Sequence, residues 1–199
     1  MLDAEHLYGL PDDFRASWES VRGMSSLEST PQIIERPPQP YVAAREILTM
    51  STLSRIADRI PELMASLAQR GLTPSGAPFF RYLTIDMDRG LEVEAGVPVA
   101  APLDLADADS GAATTQTLPG GRFVSAFFVG HPDGLEGATA DLLDWAETRG
   151  LRWDMHDSPA GENWGCRLEI YHSDPFEQPD MNTWRTELAF RLVDGTTQG

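Results

Sequence analysis

The sequence predicts an α+β fold: two β-α-β-β repeats forming an antiparallel-rich sheet, with the helices on one face and a ligand cleft between the repeats. Three observations predict it. The pattern of elements reads strand–helix–strand–strand, then the same again. Both helical segments end on one echoed triplet, Arg70-Gly71-Leu72 and Arg149-Gly150-Leu151. A chain of 199 residues that is 41% hydrophobic is enough for one domain with a real core.

Residues 1–30 read as an N-terminal appendage, and residues 31–199 as the domain. In the appendage Pro11, Asp12 and Asp13 are helix-start signals, and Phe14, Trp18 and Val21 fall on one face. A short amphipathic helix is expected near 12–23, packed on its own domain or serving as a lid or dimer arm. A strand follows from about Gln32 to Leu48, and Pro37, Pro38 and Pro40 imply an edge or a break in it. From Ser51 to Arg70, Leu53, Ile56, Ile60, Leu63, Met64 and Leu67 recur at helical spacing. Pro61 kinks that helix or starts it afresh, and Gly71 ends it.

Pro78 to Asp86 reads as a strand, Asp88-Arg89-Gly90 as a turn, and Leu91 to Val99 as the returning strand. Residues 101–120 are a polar connection closing on Pro119-Gly120-Gly121. The second repeat comprises a strand from Arg122 to Val129, a helix from Leu135 to Arg149, and strands near Gly165–His172 and Thr183–Val193. A loop from Ser173 to Asn182 joins the last two.

Charge narrows the function classes. Fifteen Lys and Arg against 31 Asp and Glu give a net −16, which disfavours phosphate backbones and anionic membrane surfaces. Every basic residue is Arg, so a lysine Schiff base and a P-loop lysine are excluded. Cys166 is the only cysteine, expected as a small buried residue, and the four histidines lack ligand spacing, so no metal or cofactor is expected. The N-terminus has no signal-peptide pattern and no segment is apolar enough to span a bilayer, so a cytoplasmic protein is expected. Hydrolase, metalloprotease and dinucleotide motifs are missing from the sequence.

The informative strand is Cys166-Arg167-Leu168-Glu169-Ile170-Tyr171. Alternation sends Leu168 and Ile170 to one face and Arg167, Glu169 and Tyr171 to the other. With the helices over the Leu168 face, Glu169 and Tyr171 would look into the cleft. In the last strand Trp184, Leu188, Phe190 and Leu192 share a parity opposite to Arg185 and Glu187. On a solvated face, Glu169 simply pairs with Arg167 or Arg185. Among aromatics, the same carboxylate suits a flat lipophilic cation, through charge and cation–π contact. It also suits acid–base chemistry, with Tyr171 orienting water.

From about Pro31 to Val193 the chain resembles the GyrI-like small-molecule-binding superfamily, the bacterial effector-binding domain. The resemblance rests on Arg70-Gly71-Leu72-Thr73-Pro74, Gly76-Ala77-Pro78-Phe79 and Leu91-Glu92-Val93-Glu94-Ala95-Gly96-Val97-Pro98-Val99. Leu118-Pro119-Gly120-Gly121, Trp145-Ala146-Glu147, Leu168-Glu169-Ile170-Tyr171 and Trp184-Arg185-Thr186-Glu187-Leu188 continue it in order.

The resemblance implies a cleft in which lipophilic cations meet a central Glu ringed by aromatics. Glu169 matches that Glu and Tyr171 goes with it. Tyr82, Phe79, Trp145 and Trp184 are the implied wall residues, although the parity of Trp184 argues for the core. No helix-turn-helix precedes the domain, so the chain looks like a stand-alone member that senses or sequesters small molecules without nucleic acid or membrane, as a monomer or homodimer. The alternative the resemblance implies is a hydrolase opening the strained cyclopropane of DNA-alkylating natural products with Glu169 and Tyr171. A third is an interaction module with a protein partner such as gyrase.

Overall fold

Nine strands form one curled antiparallel sheet in the computed structural model, which describes residues 26–104 and 113–194. They are β1 (Gln32–Arg36), β2 (Gln39–Leu48), β3 (Phe79–Asp86), β4 (Gly90–Pro98), β5 (Thr114–Leu118), β6 (Gly121–Val129), β7 (Met155–Ser158), β8 (Gly161–Tyr171) and β9 (Arg185–Arg191). The helices are α1 (Ser54–Ala57), α2 (Arg59–Gln69) and α3 (Leu135–Glu147). The helix expected near 12–23 lies outside the described residues.

The strand order β1-β6-β9-β8-β3-β4-β2-β5 is a palindrome of two equivalent halves, with β7 paired on β8. Each half follows the expected β-α-β-β order and is preceded by one short strand. That strand crosses over and completes the other half: β1 pairs β6, and β5 pairs β2. The stretch from Gln32 to Leu48 is therefore two strands, because Pro37 and Pro38 cannot donate to a ladder. The polar connection before Pro119 likewise ends in β5, which alternation of Thr and Gln does not signal. The two crossovers touch: a Cβ on Gly120 would lie 2.8 Å from Pro38 Cδ, so only glycine fits there.

The echoed triplets are two copies of one helix stop. Leu72 N–H donates to Leu67 O at 3.0 Å and Gly71 N–H to Ala68 O at 3.0 Å, with Gly71 at φ +70°. In the second half Leu151 N–H donates to Ala146 O at 3.1 Å and Gly150 N–H to Glu147 O at 2.9 Å, with Gly150 at φ +64°. Both are Schellman caps, which need a residue tolerant of positive φ. Pro61 sits in the first turn of α2, where a missing N–H breaks no helical bond, so the helix starts afresh there.

α1 and α2 bury Ile56, Leu63 and Leu67 on Val42, Ala44, Phe80, Tyr82, Val93 and Ala95. α3 buries Leu135, Ala138 and Leu142 on Val124, Ala126, Leu188 and Phe190. Each buried Leu contributes roughly 1.5–3 kcal/mol. Both helices thus share one face of the sheet. The other face curls onto itself and closes a third core of Tyr41, Phe79, Phe123, Cys166, Leu168, Ile170 and Ala189.

This corrects one expectation. The helices cover the face of Glu169 and Tyr171, not that of Leu168 and Ile170. The physical reason is that curling buries the face that carries no helix among the described residues as well, so alternation alone cannot say which face carries helices. No helix among the described residues is long and apolar enough to cross a membrane.

Candidate functional site

The strip between α2 and α3 is floored by the two central strands, β3 and β8. Phe80 stands directly opposite Glu169, and Tyr82 opposite Arg167. On the other side of β8, Leu188 stands opposite Glu169 and Phe190 opposite Arg167. Cross-strand partners share a face, so these side chains converge beneath the gap between the two helices.

Glu169 is partly buried, and Tyr171 donates its hydroxyl to Glu169 Oε2 at 2.9 Å. Burial raises the Glu169 carboxyl above its ordinary value. Hydrogen bonds from Tyr171 and Tyr82 and the charge of Arg167 oppose that rise without cancelling it. The same burial, reinforced by Glu169, pushes the Tyr82 and Tyr171 hydroxyls well up, so both remain protonated donors. Phe80 meets the Tyr171 ring edge-on at 4.9 Å.

Arg167 completes the strip. Its Cζ lies 5.6 Å from the Tyr82 ring centroid, 4.9 Å from Trp164 and 4.8 Å from Phe190. Burial lowers its guanidinium from the usual range. Its buried Nε–H finds no hydrogen-bond partner among the described residues.

A bulge makes this grouping possible. Between the Tyr82/Arg167 and Thr84/Asn163 pairs, β8 has Trp164, Gly165 and Cys166 where β3 has Leu83 alone. Gly165 sits in that bulge: its N–H donates to Asp154 O at 2.8 Å, and its O accepts from Arg81 Nη2 at 2.9 Å. The irregularity turns Trp164 to the face of Arg167, against simple alternation. Trp164 then packs on Phe190 at 5.7 Å and on Trp153 at 6.1 Å, and donates Nε1–H to Glu162 Oε2 at 3.2 Å.

Beside this floor lies an open depression of about 500 Å³. Its apolar lining includes Leu143, Leu151, Trp153, Met155 and Trp164, and Arg167 lines it as well.

Of the residues singled out from the sequence, Glu169, Tyr171 and Tyr82 are brought together. Phe79 is not: it is 1% exposed on the helix-free face, edge-on to Tyr41 at 5.0 Å, and Phe80 takes the place beside Glu169. Alternation carried that signal, because Phe80 and not Phe79 shares the parity of Tyr82. Trp145 packs against the α3 core with Arg149 stacked 4.0 Å over its ring. Trp184 lies outside both core and strip, and its Nε1–H ties down the preceding loop at Gln178 O, 2.7 Å away. Phe80, Trp164, Trp153 and Phe190 are the site's unforeseen neighbours, and Gly165 in mid-strand was the readable clue to Trp164.

Arg185 pairs with Glu28 at 3.1 Å and stacks 3.6 Å over Phe127, so it does not serve Glu169. Two further buried carboxylates, Glu94 and Glu187, lie on the opposite face. Glu94 accepts from Tyr41 Oη at 2.6 Å and from Arg45 Nη2 at 2.7 Å. Glu187 is bound by Arg36, by Ser125 Oγ at 2.5 Å and by His172 Nε2 at 3.2 Å. Both are spent on internal partners. Cys166 is buried, and burial pushes its thiol up to about 12, which makes it a poor nucleophile. No group of three or more His, Cys, Asp or Glu among the described residues is placed to hold a metal.

The arrangement matches known proteins in fold. The protein EcmrR, in its complex with DNA, superposes at TM-score 0.67 and 19% identity, over 90% of this chain and 62% of that one. The chain therefore spans less than two thirds of EcmrR; against the isolated EcmrR C-terminal domain it covers 98% at TM-score 0.64 and 20% identity. SAV2435, solved bound to tetraphenylphosphonium, superposes at TM-score 0.52 and 12% identity over 82% of this chain and 94% of that one. A chain from Listeria innocua described as a hydrolase gives TM-score 0.56 and 16% identity, over 90% and 98%. A search of the curated proteins found no match. The model of the GyrI-like small molecule binding domain matches residues 29–193, and by that match this chain belongs to the GyrI-like family.

Proposed function

We propose that this domain binds flat, lipophilic small molecules, cationic ones among them, against Glu169, and so senses or sequesters them. The observation that carries this reading is the Glu169 carboxyl itself. It is desolvated among Phe80, Tyr82 and Tyr171, and among the described residues its hydrogen-bond donors are the two tyrosine hydroxyls. A desolvated carboxyl gains from any cation that enters, and neighbouring rings add roughly 0.5–2 kcal/mol of cation–π attraction each. The lipophilic cation bound to SAV2435 is a ligand of the kind this site suits. Titration with a cationic aromatic dye, followed by anisotropy for wild type and Glu169→Gln, tests it. Binding by wild type and at least tenfold weaker binding by the variant is expected, and equal binding overturns the assignment.

A second reading is favoured by the direction in which burial moves the same groups. A carboxyl that burial makes hold its proton more tightly, beside two hydroxyls kept protonated, is a candidate proton donor. Such a site suits hydrolytic opening of a strained cyclopropane, in which water adds across the breaking bond. The fold shared with the Listeria chain described as a hydrolase is in keeping with this. Incubation with a cyclopropane-bearing alkylator decides it: a ring-opened product one water heavier supports the reading, and stoichiometric protection without product ends it.

A further inference from the structure

Arg167 is an unexpected tenant for a cation site. It stands two residues from Glu169 on the same face, with its guanidinium against Tyr82, Trp164 and Phe190. Those are the surfaces a ligand cation would seek. It makes no ion pair within 4.0 Å among the described residues, and its Nε–H is buried without a partner. A buried donor left unsatisfied is costly, and an arginine fork held flat by rings presents its donors in a fixed direction. The depression lined by Leu143, Leu151, Trp153, Met155 and Trp164 opens beside it. Apolar walls around a few polar groups are what a small planar ligand needs.

We propose that Arg167 determines specificity: the depression beside it seats a planar aromatic ligand through a hydrogen-bond acceptor, a carbonyl or a carboxylate, and Arg167 disfavours simple cations at Glu169. The proposal rests on the small-molecule reading above and names the chemistry of its ligand. Two like charges a few ångströms apart in a partly desolvated strip repel strongly, so a lone cation binds against the field of Arg167. A ligand acceptor instead satisfies the guanidinium. The lining also carries Arg152 against Glu147 and Glu162, so the rim without Arg167 leans negative, and it is Arg167 that cancels the excess and turns the choice away from simple cations.

A matched naphthalene series separates the possibilities: 2-naphthoate, 2-acetylnaphthalene and 2-naphthylmethylammonium, each titrated by tryptophan quenching into wild type, Arg167→Gln and Glu169→Gln. In wild type at least one acceptor-bearing probe binds more tightly than the ammonium, and the stronger of the two tells whether the acceptor is charged or neutral. Arg167→Gln weakens that probe by about tenfold and strengthens the ammonium by about threefold or more. Opposite signs cannot come from loosened packing alone. Equal weakening of all three probes, unchanged acceptor binding, or no acceptor binding to wild type overturns the proposal. Ammonium binding that ignores Glu169→Gln sinks the cation reading and leaves the Arg167 result standing. Should Arg167→Gln not fold, Leu151→Trp fills the depression and keeps Arg167 in the chain. Loss of acceptor binding there supports the site, and retained binding refutes it.

Discussion

Tyr171 donates its hydroxyl to Glu169 Oε2 at 2.9 Å, from two residues further along the same strand. The bond favours the ionised carboxylate in a place where burial favours the neutral acid. Tyr171→Phe therefore raises the Glu169 carboxyl further. A charged hydrogen bond of this kind is worth about 1.5–3 kcal/mol. Cationic dye affinity at pH 7 should fall by about tenfold, with the midpoint of its pH dependence displaced upward. A titration from pH 5 to pH 8 reads both effects together, and an unmoved midpoint contradicts the assignment.

Glu169 also makes a stability prediction whose sign is unusual for a carboxylate. Its folded-state value lies above the unfolded one, so the group favours folding while protonated in both states. That advantage is lost as pH rises through the folded value. Glu169→Gln mimics the neutral form and should melt above wild type at pH 7. The gap should close below about pH 4, where unfolded carboxyls are protonated too. Each kcal/mol corresponds to about 2–4 °C in a chain of this size. Thermal melts across that range check it, and a variant that melts lower at pH 7 is the contrary result.

Glu187 behaves oppositely. Burial would raise it, but hydrogen bonds from His172 and Ser125 and the charge of Arg36 win, and hold it at about 2. Its contribution is present above the unfolded value and drains away as pH falls from about 5 towards 2. Glu187→Gln should cost about 2–3 kcal/mol at pH 7 and progressively less in acid. Urea unfolding at pH 7 and pH 3 measures the difference, and a penalty independent of pH contradicts it.

The bulge at Gly165 links stability to the site. A Cβ there would lie 1.8 Å from Asp154 Oδ2, and Asp154 is bound to Arg191 Nη1 at 2.6 Å. Gly165→Ala must push Asp154 off Arg191, at about 1–3 kcal/mol. It should also shift Trp164, visible as a change in the fluorescence spectrum of the native protein. Gly96→Ala collides with Phe79 Cζ, 2.3 Å from the added carbon, on the helix-free face. It should destabilise by a similar amount and leave dye binding intact in the fraction that remains folded. Equal loss of affinity in both variants refutes the separation of the two faces.

The sequence alone determined what local chemistry controls. Gly71 and Gly150 end two helices because a Schellman cap needs positive φ, and their shared flanks exposed the repeat. Pro61 marked a kink or a fresh helix start and Pro37-Pro38 a strand edge or break, for want of N–H donors. Alternation placed Arg167, Glu169 and Tyr171 on one face of β8, while Tyr82 was named beside them only through the family resemblance. What only the tertiary structure decided is non-local. The exchange of β1 and β5 between halves depends on pairing across the whole chain. Which face the helices cover is settled by sheet curvature, since Leu168 and Ile170 are buried without them. The Gly165 bulge breaks the period-two rule and delivers Trp164 to Arg167. Tyr82, Phe190 and Trp164 come from three separate strand segments, and nothing in their spacing records that they close on a single guanidinium.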